Sequence, residues 1–475
     1  MGTAAGRRHD DSIGMTKHKI QTPEQREQAG KALRKKCLRA SHGKVILGQG
    51  ETRDVVAMIT SSNKHRLQNL VPIRHGRMLQ SAFAFFRGTA NIQAYDLAGT
   101  PSSGIIVQAC GDCHLMNFGG FATPERNIVF DINDFDETDR APFEWDLKRL
   151  AASFVIAARW RGFKPGEARK IAVEAAASYR RSMRKRAGET ILEGWYSKTT
   201  AQEVMKIAEK NTGTDARTKD RLAEARKRTS EQVFHKLTAQ DRNGLSRIVD
   251  QPPLLYHHKD VSEKAVRAFF AGYRASLPEE RRFLFDRFTY VDAAIKVVGV
   301  GSVGTFCYVA LFLAAPDDPL FLQVKEAGSS VLAGYAGGKK AAHNGQRVVE
   351  GQRLIQSASD IFLGWATGPN GRNFYVRQLR DMKVSAEVET MTPKVMEYYA
   401  NLCGMALARA HNKAGDAAMI AGYLGKSGEF DEAIGDYAVA YADQVERDYA
   451  TFVKAARDGR LKTDLGKSEL ADLLK

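Results

Sequence analysis

Apolar positions along the chain change period twice. Up to about residue 290 the repeat is mainly helical, between 290 and 385 it becomes strand-like, and beyond 390 it is helical again. A helix is predicted over 23–38. Short apolar segments broken by glycine and proline fill 81–107. Gly104-Ile-Ile-Val-Gln reads as a buried strand. Asn127-Ile-Val-Phe-Asp-Ile reads as a second strand after the loop Thr123-Pro-Glu-Arg, and the two are expected to form a hairpin-like pair. Helices dominate 144–237, with a broad apolar stripe over 145–158 marking a core helix and a charged stretch over 201–236 placed on the surface. The segment 238–262 carries no period and is broken by Pro252-Pro253. Helices resume over 263–277 and 279–288. Strands are then predicted at 293–300, 305–314 and 320–327, a helix over 345–359, a strand over 373–379, and long helices over 393–412 and 431–456.

This order predicts an α+β protein of two lobes. A basic, loosely ordered segment covers 1–45. A helical lobe spans 46–290, a β-rich lobe 291–385, and the helices of 386–475 return to the helical lobe. The chain has 475 residues, 43% of them hydrophobic, so a sizeable core is within reach. The longest apolar run, 306–315, is too short to cross a membrane, and the N-terminal stretch has no apolar core of a signal peptide. Five cysteines (Cys37, Cys110, Cys113, Cys307, Cys403) show no framework spacing, so a reducing cytoplasm is the expected setting. The net charge of +16 is spread over helical segments such as 179–186 and 217–228 without interleaved aromatics. That pattern describes solvated helix faces. The alternative is weak binding of polyanions.

The run "CGDCHLMNFGGF" (110–121) holds the densest chemistry. Cys110-Gly-Asp-Cys113-His114 matches the haem-attachment pattern, but that chemistry follows export and nothing here directs export. A zinc site would need a second ligand pair at suitable spacing, and none is evident. Phosphoryl transfer needs a carboxylate to orient an acceptor hydroxyl, and a carboxylate with an amide oxygen to hold Mg²⁺. Asp112, Asn117 and Asp134 supply these groups in order, and Asp134-Phe135-Asp136 follows a strand. Capping of strand ends by polar turn residues is the plainer alternative. Gly299-Val-Gly301-Ser302-Val-Gly304 lies between two predicted strands and suits a flap whose backbone N–H groups approach phosphates. A Rossmann reading would need a helix directly after it, where a strand is predicted. Lys325 lies in the next strand, where a buried ammonium needs a partner; Glu350 on the following helix is the candidate. Asp146, at a helix start, reads as an N-cap or as a brace accepting the N–H groups of the 110–117 loop.

These motifs resemble those of the aminoglycoside phosphotransferases, choline kinases and fructosamine kinases. "GDCHLMN" is similar to their GD-x-H-x-x-N catalytic loop, "DINDFDET" to their metal-binding segment, and "PFEWDLKRL" to the helix after it. "GVGSVGT" and "LQVKEA" resemble a kinase glycine loop and lysine strand, and "CGMALARAH" (403–411) the helix that leads into the catalytic loop. The pieces are rotated, because the glycine loop and lysine follow the catalytic segment. The resemblance therefore implies a circularly permuted, two-lobed, protein-kinase-like fold. Over roughly 60–455 the chain is also similar to a bacterial family catalogued as domain of unknown function 2252. That family's runs stand here as "SAFAFFRGTA", "GDCHLMNFGGF", "NDFDET", "KVVGVGSVGT", "LQVKEA", "ASDIFLGW" and "YVRQLRDMK".

What the kinase resemblance implies is specific. Asp112 would be the catalytic base. Asn117 and Asp134 would hold Mg²⁺, with Asp136 assigned to the metal as well or, alternatively, to the acceptor. Lys325 would bind nucleotide phosphates with Glu350 as its partner, and Gly299, Gly301, Ser302 and Gly304 would cover the nucleotide. Cys110 stands where the family usually has histidine. The implied activity is ATP- and Mg²⁺-dependent phosphotransfer to a small-molecule hydroxyl, with a protein acceptor less favoured. Two alternatives stand beside it: a non-catalytic protein that binds nucleotide or polyanion, and a transferase of AMP.

Overall fold

The computed structural model describes residues 20–47, 53–212, 230–242, 244–257, 262–297, 299–337, 340–379 and 383–464. The helix Phe143–Trp160 organises its helical part. Every residue from Phe143 to Ala158 is buried, and a helix buried all round must sit among other helices. Pro165–Arg186, Pro393–Ala414 and Glu429–Arg457 pack around it. Phe143 meets Tyr179, Tyr423 and Phe430 at one junction. Its charged residues keep partners indoors. Glu144 accepts from the Ser103 backbone N–H at 2.6 Å and from its hydroxyl at 3.1 Å. Lys148 lies 4.8 Å from the centre of the Tyr437 ring.

The N-terminal segment is docked from Pro23 onward. Thr22 and Gln25 form a capping box, and Pro23 opens the helix Pro23–Leu33. That helix lies against Ala417–Leu424. The contact is backbone-close: a Cβ at Gly30 would stand 1.9 Å from the Met419 carbonyl oxygen. Residues 1–19 of the expected loose segment and the basic run 217–228 lie outside the described residues.

Four short strands cross the helical part: β1 (Ile106–Ala109), β2 (Phe118–Ala122), β3 (Ile128–Ile132) and β4 (Asp139–Pro142). The expected pairing of the 104–108 and 127–132 segments does not form. β1 pairs with β4, and β3 with β2. A tight turn decides this: the Thr123 N–H donates to the Asn127 carbonyl and the Arg126 N–H to the Thr123 carbonyl, both at 2.8 Å. β3 therefore folds straight back on Phe118–Ala122, whose glycines gave no strand signal. Val384–Ser385 adds to the other edge of β2.

The remaining strands are β5 (Thr238–Gln240), β6 (Ser246–Ile248), β7 (Leu255–Tyr256), β8 (Thr289–Lys296), β9 (Cys307–Ala315), β10 (Asp318–Glu326), β11 (Gly364–Thr367) and β12 (Asn373–Gln378). Six of them form one antiparallel sheet in the order β11-β12-β10-β9-β8-β7, while β5 and β6 pair separately. The sheet's body begins well before residue 291. Phe234, Ile248 and Leu255 share a core with Val309, Leu311 and Phe321. Tyr273 and Phe285 join Phe312 and Val376 in a second core. The segment 238–262 thus holds strands where no period was legible, because each is only two or three residues long. The architecture is α+β, and among the described residues no helix is long and apolar enough to cross a membrane.

Candidate functional site

β1 delivers the chain to a turn that only glycine can make. Gly111 has φ +86°, and a Cβ there would stand 2.1 Å from the Glu137 carbonyl oxygen. Asp146 holds this turn: its carboxylate accepts the Cys110 N–H at 2.7 Å and the Gly111 N–H at 3.0 Å. Asp146 lies inside the first helical turn, behind Pro142 in the cap position, so the brace stands and the N-cap does not. His411 reaches the same carboxylate at 3.2 Å and bonds the Tyr179 hydroxyl with its other nitrogen at 2.8 Å. Cys110, Cys113 and Asp146 form a trio of possible metal ligands whose atoms lie within 4.8 Å of one another. Burial pushes the Cys113 thiol up to about 11 and Cys110 well above its ordinary value, and the carboxylate already accepts from three groups. Without a cation beside them, both sulfurs are held as thiols.

Asp112 points out of the turn. Its carboxylate accepts Arg149 Nε at 2.5 Å and lies 3.7 Å from His114 Nε2. Burial raises its proton affinity, against the pull of Arg149 and Arg87. Arg149 is fixed by two further bonds, to Gln93 at 2.8 Å and to the Phe86 carbonyl at 3.1 Å. The Asn117 amide nitrogen donates to the Asp112 carbonyl at 2.7 Å, and among the described residues its Oδ1 has no donor. The Asn117 carbonyl accepts the Asn133 N–H at 2.8 Å and so ties the loop to the start of the Asp134 segment.

Asp134 and Asp136 follow β3. The Asp136 N–H donates to Asp134 Oδ1 at 3.2 Å. Lys325, buried on β10, pairs with Asp136 at 2.6 Å, and the Tyr375 hydroxyl donates to the same carboxylate. Burial pushes both carboxyls up. Lys325, Tyr375 and Arg377 together outweigh it at Asp136, which sits below the usual range, while the charge of Asp136 adds to burial at Asp134, which sits above it. Glu137 is half-buried and desolvation pushes it up to about 7, although the Val331 N–H bonds it at 2.7 Å.

Glu350 is not brought to Lys325. It lies exposed on the helix Asn344–Ile355 and accepts from Gln346 at 2.7 Å. One turn earlier on that helix, Arg347 faces the site and donates to the carbonyls of Asp136 and Gly328, each at 2.9 Å, and to that of Thr138. A kinase-like frame directs attention to a glutamate, and the arginine three positions before it was the available signal. Tyr375 and Arg149 were also missed. Both stand in quoted runs, but a tyrosine in a strand and an arginine in a helix carry no chemistry until the fold gives them a neighbour.

The glycine run lies on the helical part. The Gly299 carbonyl accepts Arg77 at 2.6 Å, that of Val303 accepts Arg66 at 2.6 Å, and that of Gly304 accepts the Leu67 N–H at 2.7 Å. The Ser302 carbonyl accepts from Thr305, through its N–H at 3.2 Å and its hydroxyl at 2.8 Å. Val303 is fully buried in this contact. A surface hollow between Arg186, Trp195 and Lys413 is lined by none of the sequence-predicted residues. Neither the curated proteins nor the solved structures contain a significant match to the chain. A family model described as "Uncharacterized protein conserved in bacteria (DUF2252)" matches residues 66–455, and the chain belongs to that family.

Proposed function

We propose that the protein is an ATP- and Mg²⁺-dependent phosphotransferase on a circularly permuted protein-kinase-like fold, acting on a small-molecule hydroxyl. The observation that carries this reading is the convergence of two distant parts of the chain: Asp136, behind the Asp112–Asn117 loop, pairs with Lys325 on β10, the second strand after the glycine run. The permuted order is supported at the join. Gly415 ends the helix Pro393–Ala414, and a Cβ there would stand 2.7 Å from Val107 on β1, so the helix end and the catalytic strand are neighbours in space.

In this reading the acceptor oxygen forms a bond to the terminal phosphorus, the bond to ADP breaks, and the acceptor's proton passes to Asp112. Lys325 exchanges Asp136 for the phosphates. Asn117, Asp134 and Asp136 would hold Mg²⁺, an oxygen donor set that suits a hard cation, with Asn117 Oδ1 lacking a donor among the described residues. The metal would neutralise charge on the phosphates. The Asp112–Arg149 pair favours a second reading, in which the fold binds nucleotide without turnover.

A thermal-shift titration tests both. ATP with Mg²⁺ at about 100 times Kd should stabilise the chain by about 2.7 kcal/mol, and Lys325→Ala should lose this. Absence of any shift in the wild type overturns the nucleotide site. Asp112→Asn should keep the shift and lose ATP consumption in an acceptor screen; retained turnover overturns Asp112 as base.

A further inference from the structure

Five arginines surround the glycine run and the Asp112 loop: Arg66, Arg74, Arg77, Arg87 and Arg149. Four are used in holding the fold. Arg66 and Arg77 grip carbonyls of the glycine run, Arg74 bonds Asn63 and the Gly88 carbonyl, and Arg149 bonds Asp112, Gln93 and Phe86. Arg87 differs. Among the described residues its guanidinium makes no hydrogen bond and no ion pair; its Nε is enclosed without an acceptor, as are those of Arg74 and Arg77, but Arg87 has no bond through its other nitrogens either. Its guanidinium carbon lies over the ring of Phe83, 5.8 Å from the ring centre.

The sequence forces Arg87 into this position. It ends the helix Ala82–Arg87, in which Phe83, Ala84, Phe85 and Phe86 are all buried, so the backbone at Arg87 cannot swing away. Its carbonyl oxygen lies 3.2 Å from the point a Cβ on Gly301 would occupy, directly beneath the glycine run. On its other side it feels the carboxylates of Asp112 and Glu389 without pairing with either. A partly buried guanidinium without an acceptor is costly, and a fold that keeps one is waiting for an anion. A phosphate offers paired oxygens that match the guanidinium fork.

We propose that Arg87 contacts the terminal phosphoryl group of the nucleotide, between the glycine run and Asp112. The proposal rests on the phosphotransferase reading. It gives the run "SAFAFFRGTA" a chemical role: three phenylalanines anchor the helix and the arginine takes the phosphate.

The test is the affinity of the full chain for ATP and for ADP, each with Mg²⁺, in wild type, Arg87→Met and Arg87→Lys. The wild type is expected to prefer ATP over ADP by about tenfold or more, as expected for hydrogen bonds between charged groups. Arg87→Met is expected to lose that preference with ADP affinity unchanged, and Arg87→Lys to retain part of it. A merely structural role would weaken both nucleotides together, so parallel loss overturns the proposal. An unchanged preference in Arg87→Met overturns it too and leaves the phosphotransferase reading standing. If the wild type binds neither nucleotide, that reading falls and this proposal with it. If Arg87→Met does not fold, Arg87→Lys decides by the same ratio.

Discussion

Replacing Asp131 by asparagine would test how the strand that presents the Asp134–Asp136 segment is anchored. Asp131 lies on β3 and is fully buried. It accepts from Arg409 at 2.5 Å and from the Ser357 N–H at 2.7 Å. Arg409 is equally buried. Among the described residues it bonds, apart from Asp131, only the Ile355 carbonyl, at 2.9 Å, and its Nε and Nη1 have no acceptor. Asparagine keeps the shape and one acceptor oxygen but turns the other oxygen into a donor. That donor would face Arg409 or the Ser357 N–H, and the guanidinium charge would be left unopposed. Breaking a buried pair in this way costs about 3–5 kcal/mol. For a chain of 475 residues the unfolding entropy is about 1 kcal/mol per degree. The expected fall in melting temperature is therefore about 3–5 °C, read by calorimetry or circular dichroism. A larger fall would mean that the helical part melts apart from the sheet. A fall below about 1 °C would refute the claim that the Asp131–Arg409 pair anchors β3.

Two further predictions concern stability alone. Burial lowers Lys148 from its ordinary 10.5 to about 8, a penalty of about 3 kcal/mol, which the Tyr437 ring offsets by about 2 kcal/mol. The unfolded chain binds the extra proton between these values, so wild-type stability should rise as pH climbs from about 8 to 10.5. Lys148→Met should lose that rise and gain about 1 kcal/mol at pH 7; parallel denaturation midpoints at both pH values would sink the argument. Gly30→Val would drive a side chain into the Met419 carbonyl, and it should release the helix Pro23–Leu33. Hydrogen exchange should then rise at 23–33 and on Ala417–Leu424. Unchanged protection there would show that the contact is not needed to hold the helix.

Much of the architecture was legible because long periodic segments report their own burial. The helices at Phe143–Trp160, Pro393–Ala414 and Glu429–Arg457 and the strands β9, β10 and β12 appear close to where the pattern predicts them. Short elements were not legible. β2 is built from Phe-Gly-Gly-Phe-Ala, and its pairing with β3 follows from a turn whose effect depends on one hydrogen-bonded loop. The same limit applies to the candidate site. Asp112, Asn117, Asp134 and Lys325 are visible as types at a spacing, and Asp146 as a carboxylate near a helix start.

The sequence by itself determined the helical and strand-rich regions, the placement of carboxylate, amide and lysine in motifs, and the glycine at position 111 that the turn requires. Tertiary structure decided who partners whom. It gave Lys325 to Asp136 and left Glu350 on the surface, set Arg149 against Asp112, and left Arg87 without an acceptor among the described residues. The reason is physical. Periodicity is a property of neighbours in the chain, whereas a pairing between residues 136 and 325 depends on how elements far apart in the chain pack together. The charge that wins is the one whose desolvation is best compensated in that contact.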